Sequence, residues 1–487
     1  MRPAPRTVQR TLFLDPEQWM FACIGSLAVA IVFLPYYREI SLWIGGGFFI
    51  ATFAFIHMAN TSRYCLPLPQ MAVFSSTIFY VFGPLIALYY PSQFDLYNLK
   101  QDPALYFDFA VPAVLATSCG WMAGLWNLKP MTAPDVDPRE HAKIQPILDG
   151  FIVMGVLISF GLLFLKPPDS VAFILLLIAH LRFVGIMGWV LAAKPGWKWR
   201  LFVLAALEII SSSMTGFLLD LILWAVAIVA LVFQRFRVSR QRILLMATVG
   251  MLLLPCAQHA KWKFRDIAWA GGNENVNVFG FNISVSRYTK PIILPLMIGE
   301  SLVNVITFNV EPTFYRDTVV RYNQSWIVER VMATVPARVP YAAGETVERA
   351  IVDSLIPRAL FPNKTMAGGK HNFPKYTGIK LNDRTSMNLG FVGEMYANFG
   401  YTYGIVGCGV YGLLLGWIFH WLTSRTEKNY LLAAFIPYVL HWAVMSESGL
   451  FEISNYTIKA LFVTLVISRV LTRPRRAGQV GATSKPD

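Results

Sequence analysis

Long apolar runs separated by short polar ones organise this chain. A helix needs about 20 apolar residues to cross the ~30 Å hydrocarbon core of a bilayer, where an unpaired backbone group finds no partner. Runs approaching that length occupy residues 19–34, 40–58, 71–89, 109–126, 148–165, 171–193, 201–212, 217–233, 243–257, 405–422, 431–445 and 458–471, which predicts twelve transmembrane helices. The pattern then changes over residues 257–400, which are polar and rich in Pro and Gly. The expected fold is an all-α polytopic membrane protein in three parts: helices within 1–256, one large loop domain at 257–400, and three further helices with a basic tail at 401–487.

Three stretches refine this layout. Residues 201–233 would form one helix about 50 Å long at 1.5 Å per residue, which is too long for a single crossing. Basic clusters flank the stretch on both sides, so it must cross an even number of times, with Ser211, Ser212, Ser213 and Gly216 as the turn. Within the loop domain, residues 345–356 read as an amphipathic helix with Val347, Ile351 and Leu355 on one stripe and Pro357 ending it. Residues 291–308 are apolar but carry Glu300 and Asn304, and are expected to be interfacial or re-entrant.

Composition agrees with a bilayer as the solvent. Of 487 residues, 55% are hydrophobic and 14% charged, against roughly 25% charged in a soluble domain. The net charge of +14 punctuates apolar segments instead of forming one stripe, which excludes a nucleic-acid partner and reads as topology. With both termini inside, 21 Lys and Arg fall on the cytoplasmic side against three, Arg38, Lys100 and Lys166, in the short outer loops. Residues 257–400 then lie outside, carrying 16 basic and 11 acidic residues, and the last outer loop is acidic through Glu447 and Glu452. The five cysteines show no paired spacing, so neither a disulfide framework nor a zinc site is expected. The N-terminal run reads as a retained helix and not as a cleaved signal.

Candidate chemistry concentrates in the outer segment, in SLIPRALFPNK (354–364), GGKHNFPKYTG (368–378) and TSMNLGFVGEMYANFG (385–400). Cations held on a Gly- and Pro-shaped backbone beside a membrane entrance suit a diphosphate whose lipid tail stays in the bilayer. Inside the membrane, Arg182 with His180 lies mid-helix, and Glu208 and Asp220 lie on the two arms of the hairpin. Charges at that depth are costly and point to function, or else to an ion pair that fastens helices. Asp135-Val136-Asp137 spells a DxD motif, but in a short cytoplasmic loop with no nucleotide-binding domain around it, where chance explains it. His371 reads as a loop residue, and Gly404, Gly412 and Gly416 as close helix packing.

IPRALFPNK, followed after a spacer by GEMYANFG and a Gly-rich helix, resembles the bacterial oligosaccharide repeat-unit polymerases of the Wzy type, which build O-antigen and exopolysaccharide. The large outer loop before the last three helices is similar too. The resemblance implies a glycosyltransferase-C-like membrane enzyme of the inner membrane, with both termini cytoplasmic. Its expected partners are undecaprenyl-diphosphate-linked oligosaccharides and membrane lipid, with a chain-length regulator and a flippase alongside. It implies no cofactor, nucleotide sugar or obligatory metal.

The implied reaction needs a base for a sugar hydroxyl and cations for the leaving diphosphate. Glu394 is the candidate base, Arg358 and Arg384 are the candidate diphosphate contacts with Lys364 helping, and Arg182 is a further contact or cavity wall. Tyr396 and Asn398 are placed as sugar ligands. Each has a plainer alternative: a helix-end cation for Arg358, a partner of an Arg for Glu394, an interfacial anchor for Tyr396, a helix cap for Asn398, and solvated loop charges for Lys364 and Arg384. A ligase moving finished glycan, or a transporter of lipid or polysaccharide, are the competing functions.

Overall fold

The computed structural model describes residues 15–472 except 63–64, 93–94, 129–137, 166, 216–217, 237, 270–274, 287–288, 312–313, 315–319, 357–367, 383–384, 427–428 and 430. The chain is almost entirely helical. The elements used below are α1 (Pro16–Phe33), α2 (Ser41–Thr61), α3 (Leu68–Thr77) continued through a π turn into α4 (Gly83–Tyr89), α5 (Pro103–Gly124), α6 (Pro138–Phe164), α7 (Asp169–Ala179), α8 (Leu181–Ala192), α9 (Trp197–Thr215), α10 (Leu218–Phe236) and α11 (Arg240–Trp269). A two-stranded antiparallel hairpin, β1 (Asn275–Val278) with β2 (Phe281–Ser284), precedes α12 (Lys290–Ile306), α13 (Ser325–Thr334), α14 (Glu345–Leu355) and α15 (Asn372–Thr377). Three helices close the chain: α16 (Gly390–Thr423), α17 (Leu431–Leu440) and α18 (Leu450–Thr472).

Among the described residues, nine helical segments are long and apolar enough to cross a membrane, and each coincides with one of the twelve predicted runs. The remaining three runs are the arms α9 and α10 and the shorter apolar helix at Leu431–Val444. The helix at Pro16–Phe33 has only 11% of its apolar window buried against protein, and Met20, Phe21, Ile24 and Leu27 are exposed. A helix this apolar all round needs lipid as its neighbour, so the chain is a polytopic helical membrane protein.

The predicted hairpin is the pair α9 and α10, but Ser211, Ser212 and Ser213 continue α9 as helix to Thr215 instead of turning, and Gly216 lies outside the described residues. The arms are longer than the apolar runs, 19 residues each, because helical hydrogen bonding carries on through Trp197, Lys198 and Arg200 at one end and Gln234 and Arg235 at the other. On that polar end Arg200 grips Asp149 of α6 with two nitrogens at 2.8 and 2.9 Å, under the ring of Trp189.

The tightest helix pair is α5 with the long arm of α16. Their positions rise together, Thr117 facing Gly412 and Gly124 facing Gly416, so the two run parallel. A Cβ on Gly412 would stand 2.2 Å from the carbonyl oxygen of Thr117, and one on Gly120 would stand 2.1 Å from that of Gly409. Small residues let the backbones meet, as the glycine spacing predicts. Parallel crossing also fits their places as the fourth and tenth predicted runs, since alternate crossings share a direction.

In the loop segment, a second small core forms where the end of α11, the β-hairpin and α12 meet, around Phe264, Val278, Ile293 and Leu294. Glu300 is used here: its carboxylate accepts the backbone N–H of Phe279 at the hairpin tip, 2.8 Å away.

Helix α14 occupies the predicted residues, ending at Leu355, and its apolar stripe is the outward one. Its packed side, against α18, is Thr346, Ala350, Asp353 and Ser354, while Ile351, Val352 and Leu355 are exposed and Val347 is half-buried. Beside a bilayer the usual rule turns over, because apolar side chains lose nothing facing lipid whereas polar ones need protein partners.

Candidate active site

Helix α16 breaks at Gly400, whose φ of 71° and ψ of −157° lie where a side chain is strained. The break separates a ten-residue upper arm, 390–399, from the membrane-crossing arm below it. Backbone bonds from Ala342 and Ala343 to the carbonyls of Ala397 and Asn398, 2.9 and 3.1 Å long, hold the upper arm on one side. On its other side the first turn of α18 abuts it, the N–H of Leu450 donating to Oε2 of Glu394 at 2.8 Å.

Glu394 is 3% exposed; the Thr346 hydroxyl interacts with its carboxylate, and its Oε1 has no partner at ordinary hydrogen-bond length among the described residues. The carboxylate lines a small open cleft together with Gly369, His371, Asn372, Asn388, Phe451 and Glu452. The loop at 368–372 and the segment at 386–389 come from two of the three polar stretches singled out in the sequence, and they pack on one another. Met387 N–H donates to Gly368 O at 3.2 Å, and a Cβ on Gly369 would stand 1.9 Å from Met387 O, so glycine is required there. Gly368 N–H in turn donates to Oε1 of Glu452 at 2.7 Å.

Aromatic contacts hold the roof in place. Trp326 of α13 lies edge-on to Tyr97 at 5.2 Å and to Phe373 of α15 at 6.1 Å, fixing the helix that begins with Asn372. Glu329, 2% exposed, ties α13 to the loop before α5 by accepting the N–H of Lys100 at 2.9 Å and that of Gln101 at 2.7 Å. Burial pushes the Glu329 carboxyl above its ordinary range, against the lowering pull of those two bonds. Arg321 pairs with Glu447.

The predicted site residues separate into groups. Glu394 lines the cleft. Asn398, one turn further along, is 1% exposed and engaged within the protein: its amide donates to Thr346 Oγ1 and to Glu394 O, both at 2.7 Å, and its carbonyl accepts from Gly344 N–H at 3.1 Å. It clamps α14 to the upper arm. Tyr396 packs edge-on to Phe109 at 5.0 Å and lies outside the cleft lining. Arg358, Lys364 and Arg384 lie outside the described residues.

Arg182 belongs to a different place. Its Nε and Nη2 embrace the two carboxylate oxygens of Glu208, Nη2 at 2.9 Å, and Nη1 donates to Ala179 O at 2.8 Å. Both side chains are almost fully buried, at 4% and 9% exposed. Next to the pair, His441 Nε2 lies 2.6 Å from Asp220 Oδ1, and His180 Nδ1 lies 2.8 Å from the Tyr456 hydroxyl. Trp224 stacks on Phe183 at 4.3 Å and on His441 at 4.5 Å. Tyr456 stands four residues after Glu452 on α18, so this buried group sits one helical turn, about 6 Å, along that helix from the cleft. Arg182 is absent from the cleft lining, and its geometry is that of the ion pair fastening α8 to α9.

Glu452, Asn388 and Gly449 were not among the sequence candidates. Glu452 stood out only as an acid in the last outer loop. His371, read as a loop residue, also lines the cleft. No protein family matches the chain, and no curated protein or solved structure does so either.

Proposed function

We propose that this chain is a repeat-unit polymerase of the plasma membrane, crossing it twelve times in a glycosyltransferase-C-like arrangement with both termini cytoplasmic. It joins undecaprenyl-diphosphate-linked oligosaccharides on the outer face. The observation that supports the reading is the buried Glu394 of the GEMYANFG motif, lining a cleft built in part from two of the three polar stretches singled out in the sequence.

Glu394 takes the proton of the acceptor sugar hydroxyl. That oxygen bonds to the anomeric carbon of the donor glycan while the bond from the anomeric carbon to the diphosphate oxygen breaks. The products are a longer glycan on one carrier and a free undecaprenyl diphosphate, whose charge needs cations. In the sequence Arg358 and Lys364 follow directly on α14, whose exposed Ile351, Val352 and Leu355 suit the bilayer surface. Arg384 precedes the segment that lines the cleft. A polyprenyl carrier would thus keep its tail in lipid while its head group meets these cations.

The test is the profile of lipid-linked glycans from a deletion strain. Single repeat units accumulating there, with extension restored by the wild-type gene but not by Glu394→Gln or Arg358→Ala at equal abundance, is the expected result. Chains of normal length in the deletion strain refute the reading. Long chains stranded on the carrier identify a ligase instead.

A further inference from the structure

Glu394 does not face the cleft alone. A Cβ built on Gly449 would stand 2.6 Å from Glu452 Oε2 and 3.5 Å from Glu394 Oε2, so these two oxygens are within about 6 Å of each other. At that range carboxylates repel one another and repel any further anion. The described lining has two carboxylates, two side-chain amides from Asn372 and Asn388, and the imidazole of His371, but neither Lys nor Arg. Among the described residues of this lining a diphosphate finds no counter-charge. A sugar, by contrast, brings hydroxyl donors for the carboxylate oxygens and acceptors for the amides, and Phe451 offers its apolar ring face a surface. The Oε1 atom of Glu394, without a partner at ordinary hydrogen-bond length among the described residues and on a side chain 3% exposed, is an acceptor left for such a donor.

Resting on the function proposed above, we infer that the Glu394–Glu452 cleft is the subsite for the terminal sugar of the acceptor glycan, that Glu452 positions that sugar, and that the donor diphosphate is held outside it. Gly449 keeps the space open. Its φ is outside the left-handed region, so alanine there alters the space and not the backbone.

The test uses full-length protein in detergent and two probes: the free repeat-unit oligosaccharide, released by mild acid from the carriers of a deletion strain, and undecaprenyl diphosphate. Gly449→Ala and Glu452→Gln should each weaken oligosaccharide binding at least tenfold while undecaprenyl diphosphate binding stays within twofold. Unchanged oligosaccharide binding in both variants, or parallel loss of both probes, overturns the subsite. Wild-type protein that binds undecaprenyl diphosphate but no oligosaccharide also overturns it, leaving the polymerase reading standing. Binding of neither probe removes both.

Discussion

Arg182 offers a sharp contrast between two roles for one residue. As half of a buried pair, its loss strands the carboxylate of Glu208 at 9% exposure within α9, deep among helices. Breaking such a pair from one side costs about 3–5 kcal/mol, whereas replacing both partners by apolar residues of similar volume is often neutral or stabilising. Arg182→Met should therefore lower the resistance of the purified protein to denaturant by an amount of that order, as should the loss of the two further contacts it makes, to Ala179 O and over the Phe183 ring. Adding Glu208→Met should restore most of the stability and, with it, chain extension in cells. The assay pairs unfolding of the single and double variants in detergent with the glycan profile of complemented deletion strains. A double variant that folds as well as wild type yet leaves single repeat units uncapped by further growth would refute this assignment. It would return Arg182 to the substrate side of the mechanism.

Two further outcomes follow from packing and charge. Alanine at Gly412 would push a methyl to 2.2 Å from the backbone of Thr117, where nothing flexible can yield; the expected loss is about 1–3 kcal/mol, while alanine at Gly150 of α6, with no atom within 4 Å, should be neutral or stabilising by up to about 1 kcal/mol. Equal thermal stability of the two variants would refute the close parallel contact. Because the folded Glu329 carboxyl is pushed above its unfolded value, its contribution is fully present below the unfolded value and fades as pH rises through the folded one. Thermal midpoints across mildly acidic to neutral pH should thus fall less steeply in Glu329→Gln than in wild type, and identical slopes would show that the group is not the source.

Much of the architecture was legible in the hydropathy pattern. Among the described residues every apolar run is helical, and the long 201–233 stretch divides into the two arms α9 and α10. Ends were less legible, since hydropathy stops at Trp197 or Gln234 whereas backbone hydrogen bonding does not. The α14 stripe was legible as amphipathic but not which side of it packs, because an apolar face indicates the non-aqueous side, and next to a bilayer that side can be lipid. At the site, Glu394 was visible from its motif, but Glu452 was not. It lies 58 positions later on a helix that otherwise reads as a span, and only the fold brings it to Gly368 and Gly449. Arg182 announced itself as an expensive charge, yet the identity of its partner depended on how α8 and α9 cross. Asn398 was visible as a versatile amide, but its bonds to Gly344 and Thr346 are visible only in the fold.

The break at Gly400 makes one continuous stretch answer to two sets of neighbours. Above it, rotation is set by Glu394 and Asn398; below it, by the glycines against α5. One inserted residue changes helical phase by about 100°, so adding or removing a single position between Gly400 and Gly409 would turn one half away from its partners whatever its chemistry. Indels among relatives of this chain are expected upstream in the loop segment and not across that stretch, and a single-residue insertion there should produce protein that inserts but cannot work.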